Sequence, residues 1–275
     1  DTYQHINIIC LRGYGEKAQI KAKLAARYWK QLLGVDATPS KFLGEDVLEV
    51  PFNYPEPLFY PTDKIQVLQE IKSNFPQIQK EILDYIKSHE FYDYPKYKVS
   101  NDLYDGELYK NDWKAIPLSK FAHEHVELTE DDEAKVEINN KLPEIKGFIP
   151  TYNKIIKQGE EEGWVRNSFI SRLDPGSIIE PHKGWSNTYL RCHIGVDVDP
   201  ECYITKQHPN VELNIQETKT WEEGEWLAFQ DGGNYYHSVE HKGTKPRIIL
   251  SVDLDLNHIF KGSYLKLAQA PLRKI

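Results

Sequence analysis

Hydrophobic and polar positions alternate in short runs between Trp164 and Leu254. Runs of period two, bounded by Gly, Pro and Asp, predict antiparallel β-strands joined by turns. Several strands at this spacing indicate an antiparallel barrel or a double-sheet jelly roll. The predicted turns lie at Asp174-Pro175-Gly176, Asp199-Pro200, Glu223-Gly224 and Asp231-Gly232-Gly233.

The chain before this region has a helical pattern, with apolar residues three and four positions apart. Residues 17–33 predict one helix, and residues 64–88 predict a helical region that Pro76 breaks. Residues 5–11 predict a short buried strand. We therefore expect an α+β, mainly β fold, with the N-terminal helices packed on one sheet of a jelly-roll core.

Three segments follow from this change of pattern. Residues 1–56 are expected to form a strand-helix extension, and residues 57–163 a helical or irregular segment that packs on the core. Residues 164–275 are expected to form the jelly-roll core itself. One compact domain that includes all three segments is the alternative.

Two predicted strands each carry an arginine on their polar face. In residues 188–198, Arg191 and His193 alternate with an apolar face, and in residues 247–254 Arg247 does the same. Inward-facing arginines between two sheets suit a small dicarboxylate, because a guanidinium forms paired, charge-assisted hydrogen bonds with a carboxylate. For residues 188–198 alone, an ordinary exposed face is the alternative.

Two histidines lie close to these strands. His182 follows a turn and a short apolar step, and His237 follows the turn that begins at Asp231. Imidazole is a common ligand of Fe(II). A lone histidine is more often structural, but two histidines near arginine-bearing strands favour a metal site. His241 is a rival for the second position.

Composition narrows the function classes. The 275 residues carry a net charge of −8, with 40% hydrophobic and 28% charged residues. This charge argues against a nucleic-acid partner, and no apolar run predicts a membrane span. Three cysteines give no disulfide framework, which favours a reducing, cytoplasmic compartment. No signal peptide is expected, although a chain that opens on Asp1 leaves a removed leader as an alternative.

Three stretches together resemble the aspartyl/asparaginyl β-hydroxylase family of Fe(II)- and 2-oxoglutarate-dependent oxygenases. They are PGSIIEPHKGWSNTYLRCHIGV, KTWEEGEWLAFQD, and His237 with Arg247 ten residues later. Weaker likeness extends the resemblance over residues 57–256, and residues 1–56 have no counterpart. The resemblance implies a double-stranded β-helix core that uses Fe(II), 2-oxoglutarate and O₂. It also implies hydroxylation of an amino-acid side chain, free or in a peptide or protein, with succinate and CO₂ as co-products.

The same resemblance assigns roles to individual residues. It implies that His182 and His237 are the catalytic iron ligands. The implied contacts of 2-oxoglutarate are Ser171 and Arg247 at the distal carboxylate, and Arg191 and His193 at the metal-chelating end. Candidates for the substrate pocket are Trp185, Asn187, Tyr189, Asp231, Tyr235 and Tyr236.

Three features depart from the common pattern. Most oxygenases of this chemistry carry a carboxylate two residues after the first histidine, where this chain has Gly184. In the resembled family water fills that position, whereas chloride fills it in 2-oxoglutarate halogenases; the surrounding motif favours the former. The segment FQDGGNYYHSV is about two residues longer than the family pattern. Tyr189 replaces an expected arginine, which favours a basic, neutral or aromatic substrate over an acidic peptide.

Other functions stay open from the sequence. A non-catalytic jelly-roll module that binds a metal or a sugar is one, but it would not need the pair Arg191 and Arg247. A lipid hydroxylase is another, because such enzymes belong to the same family. The leading hypothesis is a 2-oxoglutarate-dependent hydroxylase.

Overall fold

The computed structural model describes residues 4–9, 38–40, 44–52, 57–94, 96, 98–119, 141–184 and 189–259, and only the backbone of those before residue 57. The helix predicted at residues 17–33 and Cys10 lie outside the described residues. Four helices are labelled: α1 (Gln66–Ser73), α2 (Phe75–Ile86), α3 (Pro150–Glu162) and α4 (Leu256–Ile259). Residues 141–148 are also helical.

The strands of the described ranges are labelled in chain order. They are β1 (Gln4–Ile9), β2 (Thr38–Ser40), β3 (Gly44–Phe52), β4 (Tyr92–Asp93), β5 (Lys98–Ser100), β6 (Asp105–Glu107), β7 (Tyr109–Lys110), β8 (Trp113–Pro117), β9 (Val165–Leu173), β10 (Ile178–His182), β11 (Tyr189–Asp197), β12 (Cys202–Gln207), β13 (Gln216–Thr220), β14 (Trp226–Gln230), β15 (Tyr236–His241) and β16 (Arg247–Asp255).

The eight strands β9 to β16 form two facing antiparallel sheets. The larger sheet has the order β14-β11-β16-β9, and the smaller has the order β13-β12-β15-β10. Along the chain the strands pass back and forth between the two sheets, which is the double-stranded β-helix, or jelly roll. The predicted fold class is therefore confirmed.

The segment 57–163 is more than the helical or irregular packing segment that its pattern predicts. Strands β8 and β4 extend the larger sheet beyond β9, and β7 extends the smaller sheet beyond β10. These strands are two to five residues long, too short for a recognisable alternation of polar and apolar positions. Both sheets therefore include strands from outside residues 164–275.

The predicted helical region at residues 64–88 is two helices, α1 and α2, separated at Asn74. Pro76 does not interrupt a helix as predicted; it lies in the first turn of α2, where its missing N–H is not needed. The apolar faces of both helices pack on the larger sheet. The contacting core includes Leu68, Ile71, Ile78, Ile82, Leu190, Ile194 and Leu250.

The larger sheet separates two hydrophobic clusters. In β16, Leu250 and Val252 face the helices, whereas Ile249 belongs to the cluster between the sheets. The predicted alternation is thus confirmed in β16. The alternation predicted for residues 188–198 fails at one position. A register shift in β11 between Gly195 and Asp197 places Val198, just beyond the strand, in the inner cluster. A β-bulge of this kind inverts the alternation beyond it.

No described helix combines the length and the apolar character needed to cross a membrane. Cys192 and Cys202 are both buried and free.

Candidate active site

His182 and His237 lie side by side on adjacent strands of the smaller sheet. They are cross-strand partners in β10 and β15, and their ring centroids lie 4.1 Å apart. His241 lies four residues further along β15, or about 13 Å. Its ring is bonded there to the backbone of Gly243 and Lys245. The structure therefore brings His237, and not His241, to His182.

The surroundings of both imidazoles favour the neutral form, which is the form that binds a metal ion. His182 Nδ1 lies 2.8 Å from the carbonyl oxygen of Glu180. Because a carbonyl only accepts, Nδ1 carries the hydrogen, and Nε2 retains a lone pair. Burial lowers the pKa of His182 and holds the pKa of His237 well below the ordinary value. Metal binding requires this deprotonated form.

A carboxylate lies beside the histidines although Gly184 has no side chain. The N–H of Gly184 donates to the backbone oxygen of Asp231 at 2.9 Å, and a Cβ built on Gly184 would overlap the Asp231 carboxylate. Asp231 Oδ1 lies 3.3 Å from His237 Nε2. The sequence named Asp231 only as a substrate-pocket candidate, whereas the structure places it against the histidine pair.

Arg191 holds this carboxylate in place. Its Nη1 donates to Asp231 Oδ1 at 2.7 Å, and Nε and Nη2 donate to the two oxygens of Asp253, both at 2.9 Å. The Tyr189 hydroxyl donates to Asp231 Oδ2 at 3.1 Å. Both carboxylates are almost fully buried. Asp253 had no assigned role, although it is the cross-strand partner of Arg191.

Asp231 is therefore engaged by protein donors. In the part of the chain that the structure describes, no three His, Cys, Asp or Glu side chains form a complete metal-ligand cluster. His182 and His237, with ring centroids 4.1 Å apart, are the candidate nitrogen ligands for Fe(II). The assignment of these two histidines as metal ligands stays a prediction.

Arg247 lies between the two sheets, against the ring of Trp221. It is 2% exposed, and its Nη2 donates to Ser171 Oγ at 2.8 Å. Burial lowers the pKa of Arg247 to about 10, so it remains charged at neutral pH. No carboxylate among the described residues pairs with it. A buried charge without a counter-charge is unfavourable, and this environment fits an anionic ligand.

Aromatic rings connect Arg247 with the histidine pair. The Arg247 guanidinium lies 4.7 Å from the Trp221 ring, and Trp221 is 6.0 Å from His193. Phe229 then lies 5.3 Å from His193 and 5.1 Å from His237. Several buried polar atoms near these rings lack a partner in the described residues. They are Arg247 Nε, Trp221 Nε1, His193 Nδ1, Ser251 Oγ and His237 Nδ1.

The remaining predicted pocket residues have different positions. Tyr236 is buried beneath the ammonium of Lys183, and Tyr235 faces the ring of His208 at 6.0 Å. Trp185 and Asn187 lie outside the described residues. Their predicted roles stay predictions.

Two neighbours of the site were missed. Asn101 donates to the backbone oxygen of Pro181, next to His182, at 2.8 Å. It belongs to a polar segment with no periodic signal. Lys206 lies opposite His237 in β12 and is completely buried. An inward lysine on an otherwise alternating strand was the available signal.

The free energy of unfolding should fall as the pH drops below about 6.5, the pKa of histidine in an unfolded chain. Burial holds the pKa values of His193 and His237 well below 6.5, and lowers that of His182. Unfolding therefore takes up protons in this range, and acid favours the unfolded chain. Urea denaturation of metal-free protein should lose up to about 4 kcal/mol per pH unit, which is about 1.4 kcal/mol for each histidine. His193→Gln should reduce this slope by about a third, and a flat profile would contradict the assignment.

Gly184→Ala should destabilise the fold by about 1–3 kcal/mol, because the added methyl group overlaps the Asp231 carboxylate. In an Asp231→Gly background the same substitution should have almost no effect, since the overlapping group is gone. A double-mutant cycle by urea denaturation measures this coupling. Equal effects of Gly184→Ala in the two backgrounds would contradict the predicted overlap.

A family model described as Aspartyl/Asparaginyl beta-hydroxylase matches residues 72–256. Aspartate beta-hydroxylase domain-containing protein 2 of Xenopus tropicalis is 34% identical over 91 residues, covering 32% of this chain and 22% of that protein. Human aspartyl/asparaginyl beta-hydroxylase is 34% identical over 111 residues, covering 40% of this chain and 13% of that protein. The match thus spans less than a quarter of either relative.

Among solved structures, a Pseudomonas putida prolyl-4-hydroxylase is similar with a TM-score of 0.34 and 8% identity, covering 68% of this chain and 86% of that chain. A similarity this low carries no argument about function. The family match covers α2, α3, strands β9 to β16, His182 and His237, and Arg191 and Arg247. The chain belongs to the aspartyl/asparaginyl beta-hydroxylase family.

Proposed function

We propose that this chain is an Fe(II)- and 2-oxoglutarate-dependent dioxygenase that hydroxylates an amino-acid side chain, free or in a peptide or protein, with succinate and CO₂ as co-products. The observation that carries the proposal is the buried guanidinium of Arg247, which has no carboxylate partner among the described residues. A series of ring contacts between the sheets, through Trp221, His193 and Phe229, leads from it to His182 and His237. A dicarboxylate that chelates a metal ion has matching groups at both ends.

His182 and His237 would hold the iron through neutral imidazole nitrogens. Together with 2-oxoglutarate and O₂, bound iron supplies the oxidising power to insert oxygen into an unactivated C–H bond. Arg247 and Ser171 would bind the distal carboxylate through charge-assisted and neutral hydrogen bonds. Arg191 and His193 would orient the chelating end. The burial of His182, His237 and Arg247 would limit the access of water to the reacting groups.

Asp231 favours hydroxylation over halogenation. Its carboxylate occupies the space beside Gly184, where a halogenase binds chloride next to the metal. The negative charges of Asp231 and of a chloride ion beside it would repel each other, and the low dielectric constant of a buried site would strengthen the repulsion. We assign Asp231 the role of a charged hydrogen-bond acceptor beside the iron.

The pocket chemistry also bears on the substrate. Tyr189 uses its hydroxyl to bind Asp231 and carries no positive charge towards the substrate side. An acidic side chain would therefore find no cation at this position, whereas a basic, neutral or aromatic side chain meets no repulsion. A lipid substrate differs in size and polarity, so a substrate panel separates it from amino acids and peptides.

The proposal predicts the behaviour of Arg247→Met. This change should weaken 2-oxoglutarate binding by about a hundredfold or more, because hydrogen bonds to charged groups contribute about 1.5–3 kcal/mol each. Affinity for Mn(II), used as the metal probe, should stay within about twofold, since Arg247 does not contact the histidine pair. Calorimetry under anaerobic conditions measures both. Arg172→Met, which removes a partly exposed arginine paired with Asp174, is the matched control.

Turnover tests the reaction itself. Wild-type protein with Fe(II), ascorbate and 2-oxoglutarate should form succinate slowly, and faster with a true substrate. Metal binding without succinate formation or 2-oxoglutarate binding would favour the metal- or sugar-binding module. Unchanged 2-oxoglutarate affinity in Arg247→Met would refute the role of Arg247.

A further inference from the structure

The loop 231–235 between β14 and β15 sets the position of Asp231. Gly232 and Gly233 are buried, so the loop is folded into the protein rather than extended into solvent. It contains two adjacent glycines, which have more backbone conformations available than other residues, so holding the loop in one of them requires added contacts.

Lys206 supplies contacts at both ends of this loop. Its ammonium donates to the backbone oxygen of Gln230 at 2.7 Å, just before the loop, and to that of Tyr235 at 3.4 Å, at its end. The same ammonium lies 5.3 Å from the Phe229 ring centroid and 5.9 Å from that of Tyr235. One side chain of β12 therefore joins the two ends of the segment that carries Asp231.

A lysine is an unfavourable choice for this position on packing grounds alone. Lys206 is 0% exposed, and burying an ammonium is costly unless its hydrogen bonds are replaced. A methionine would fill the same space without that cost. The bonds to the loop are thus what the charged group adds.

The neighbourhood connects the loop with the candidate metal site. Lys206 is the cross-strand partner of His237, and Asp231 lies 3.3 Å from the His237 ring. A shift of the loop would move Asp231 away from both His237 and Gly184. The strand pairing of β12 and β15 fixes where the ammonium can reach, so it anchors the loop to the same strand that carries His237.

We propose that Lys206 is a positioning residue: by bonding both ends of the loop 231–235, it holds Asp231 beside His182 and His237 and so shapes the metal site. This inference rests on the proposed function, because it assumes that the two histidines bind the metal. Lys206 would act through the loop and not as a metal ligand, because an ammonium has no lone pair to offer a metal ion.

Co(II) binding tests the inference without turnover. The affinity and the ligand-field spectrum of Co(II) should be compared in wild type, Lys206→Met and Lys206→Gln. Loss of the charged hydrogen bonds in Lys206→Met should lower Co(II) affinity by about ten- to hundredfold and shift the absorption bands. Removing the positive charge of Lys206 would by itself raise Co(II) affinity, so a loss reports the displaced loop. Lys206→Gln, which can still donate to one carbonyl, should give a smaller loss.

Lys146→Met is the matched control. Lys146 is partly buried, with 29% of its side chain exposed, and is paired with Glu160 in the helical segment 141–148, away from His182 and His237. The substitution Lys146→Met should lower the free energy of unfolding without changing the Co(II) spectrum. The folded fraction of each variant is measured by near-UV circular dichroism, and if Lys206→Met does not fold, Lys206→Gln decides.

The outcomes separate the two proposals. If wild type does not bind Co(II), or binds it equally well after His182→Ala, the proposed function fails and this inference fails with it. If wild type binds Co(II) through His182 but folded Lys206→Met or Lys206→Gln keeps wild-type affinity and spectrum, only the role of Lys206 is overturned.

Discussion

The arrangement of side chains between the two sheets depends on the guanidinium of Arg191, which is held between the carboxylates of Asp231 and Asp253. This buried triad joins β11, β16 and the loop before β15. Placing such charges in a protein interior gains little net stability, yet removing one partner typically costs about 3–5 kcal/mol because another charge is left unpaired. The triad therefore acts as a geometric constraint. It fixes Asp231, and through Asp231 it fixes which residue can stand at position 184.

Under the proposed function, the buried charges near the histidines and Arg247 favour joint binding of a metal ion and a dicarboxylate. The Asp231 carboxylate lies at the histidine end, and an uncompensated guanidinium lies at the far end at Arg247. A divalent metal beside Asp231 and a dicarboxylate reaching Arg247 bring opposite charges of equal size. Their joint binding would place each charge next to its complement without changing the net charge of the interior.

The family resemblance and the strand periodicity together allowed much of this site to be predicted from the sequence. Alternation in β16 placed Arg247 on the inner face, as observed, and the ten-residue spacing to Arg247 in the resembled family favoured His237, which the structure places beside His182. Contacts that depend on register or on a loop path could not be predicted. Asp253 meets Arg191 because their strands pair at that residue, and Asp231 reaches Gly184 because its loop folds inwards. Strands β4, β7 and β8, which are two to five residues long, are too short to show a period.

The larger sheet has one face that packs against the helices and one face that carries the proposed binding residues, and neighbouring residues in one strand belong to different faces. Slipping β16 by one residue would turn Arg247 towards the helices and Ile248 towards the cavity. A guanidinium among Leu68, Ile71 and Ile78 would be strongly unfavourable. The residues that serve binding therefore also penalise misaligned strand pairing during folding. Replacing them all with apolar residues would remove that penalty, so an inactive but more hydrophobic variant would be less certain to reach one native alignment.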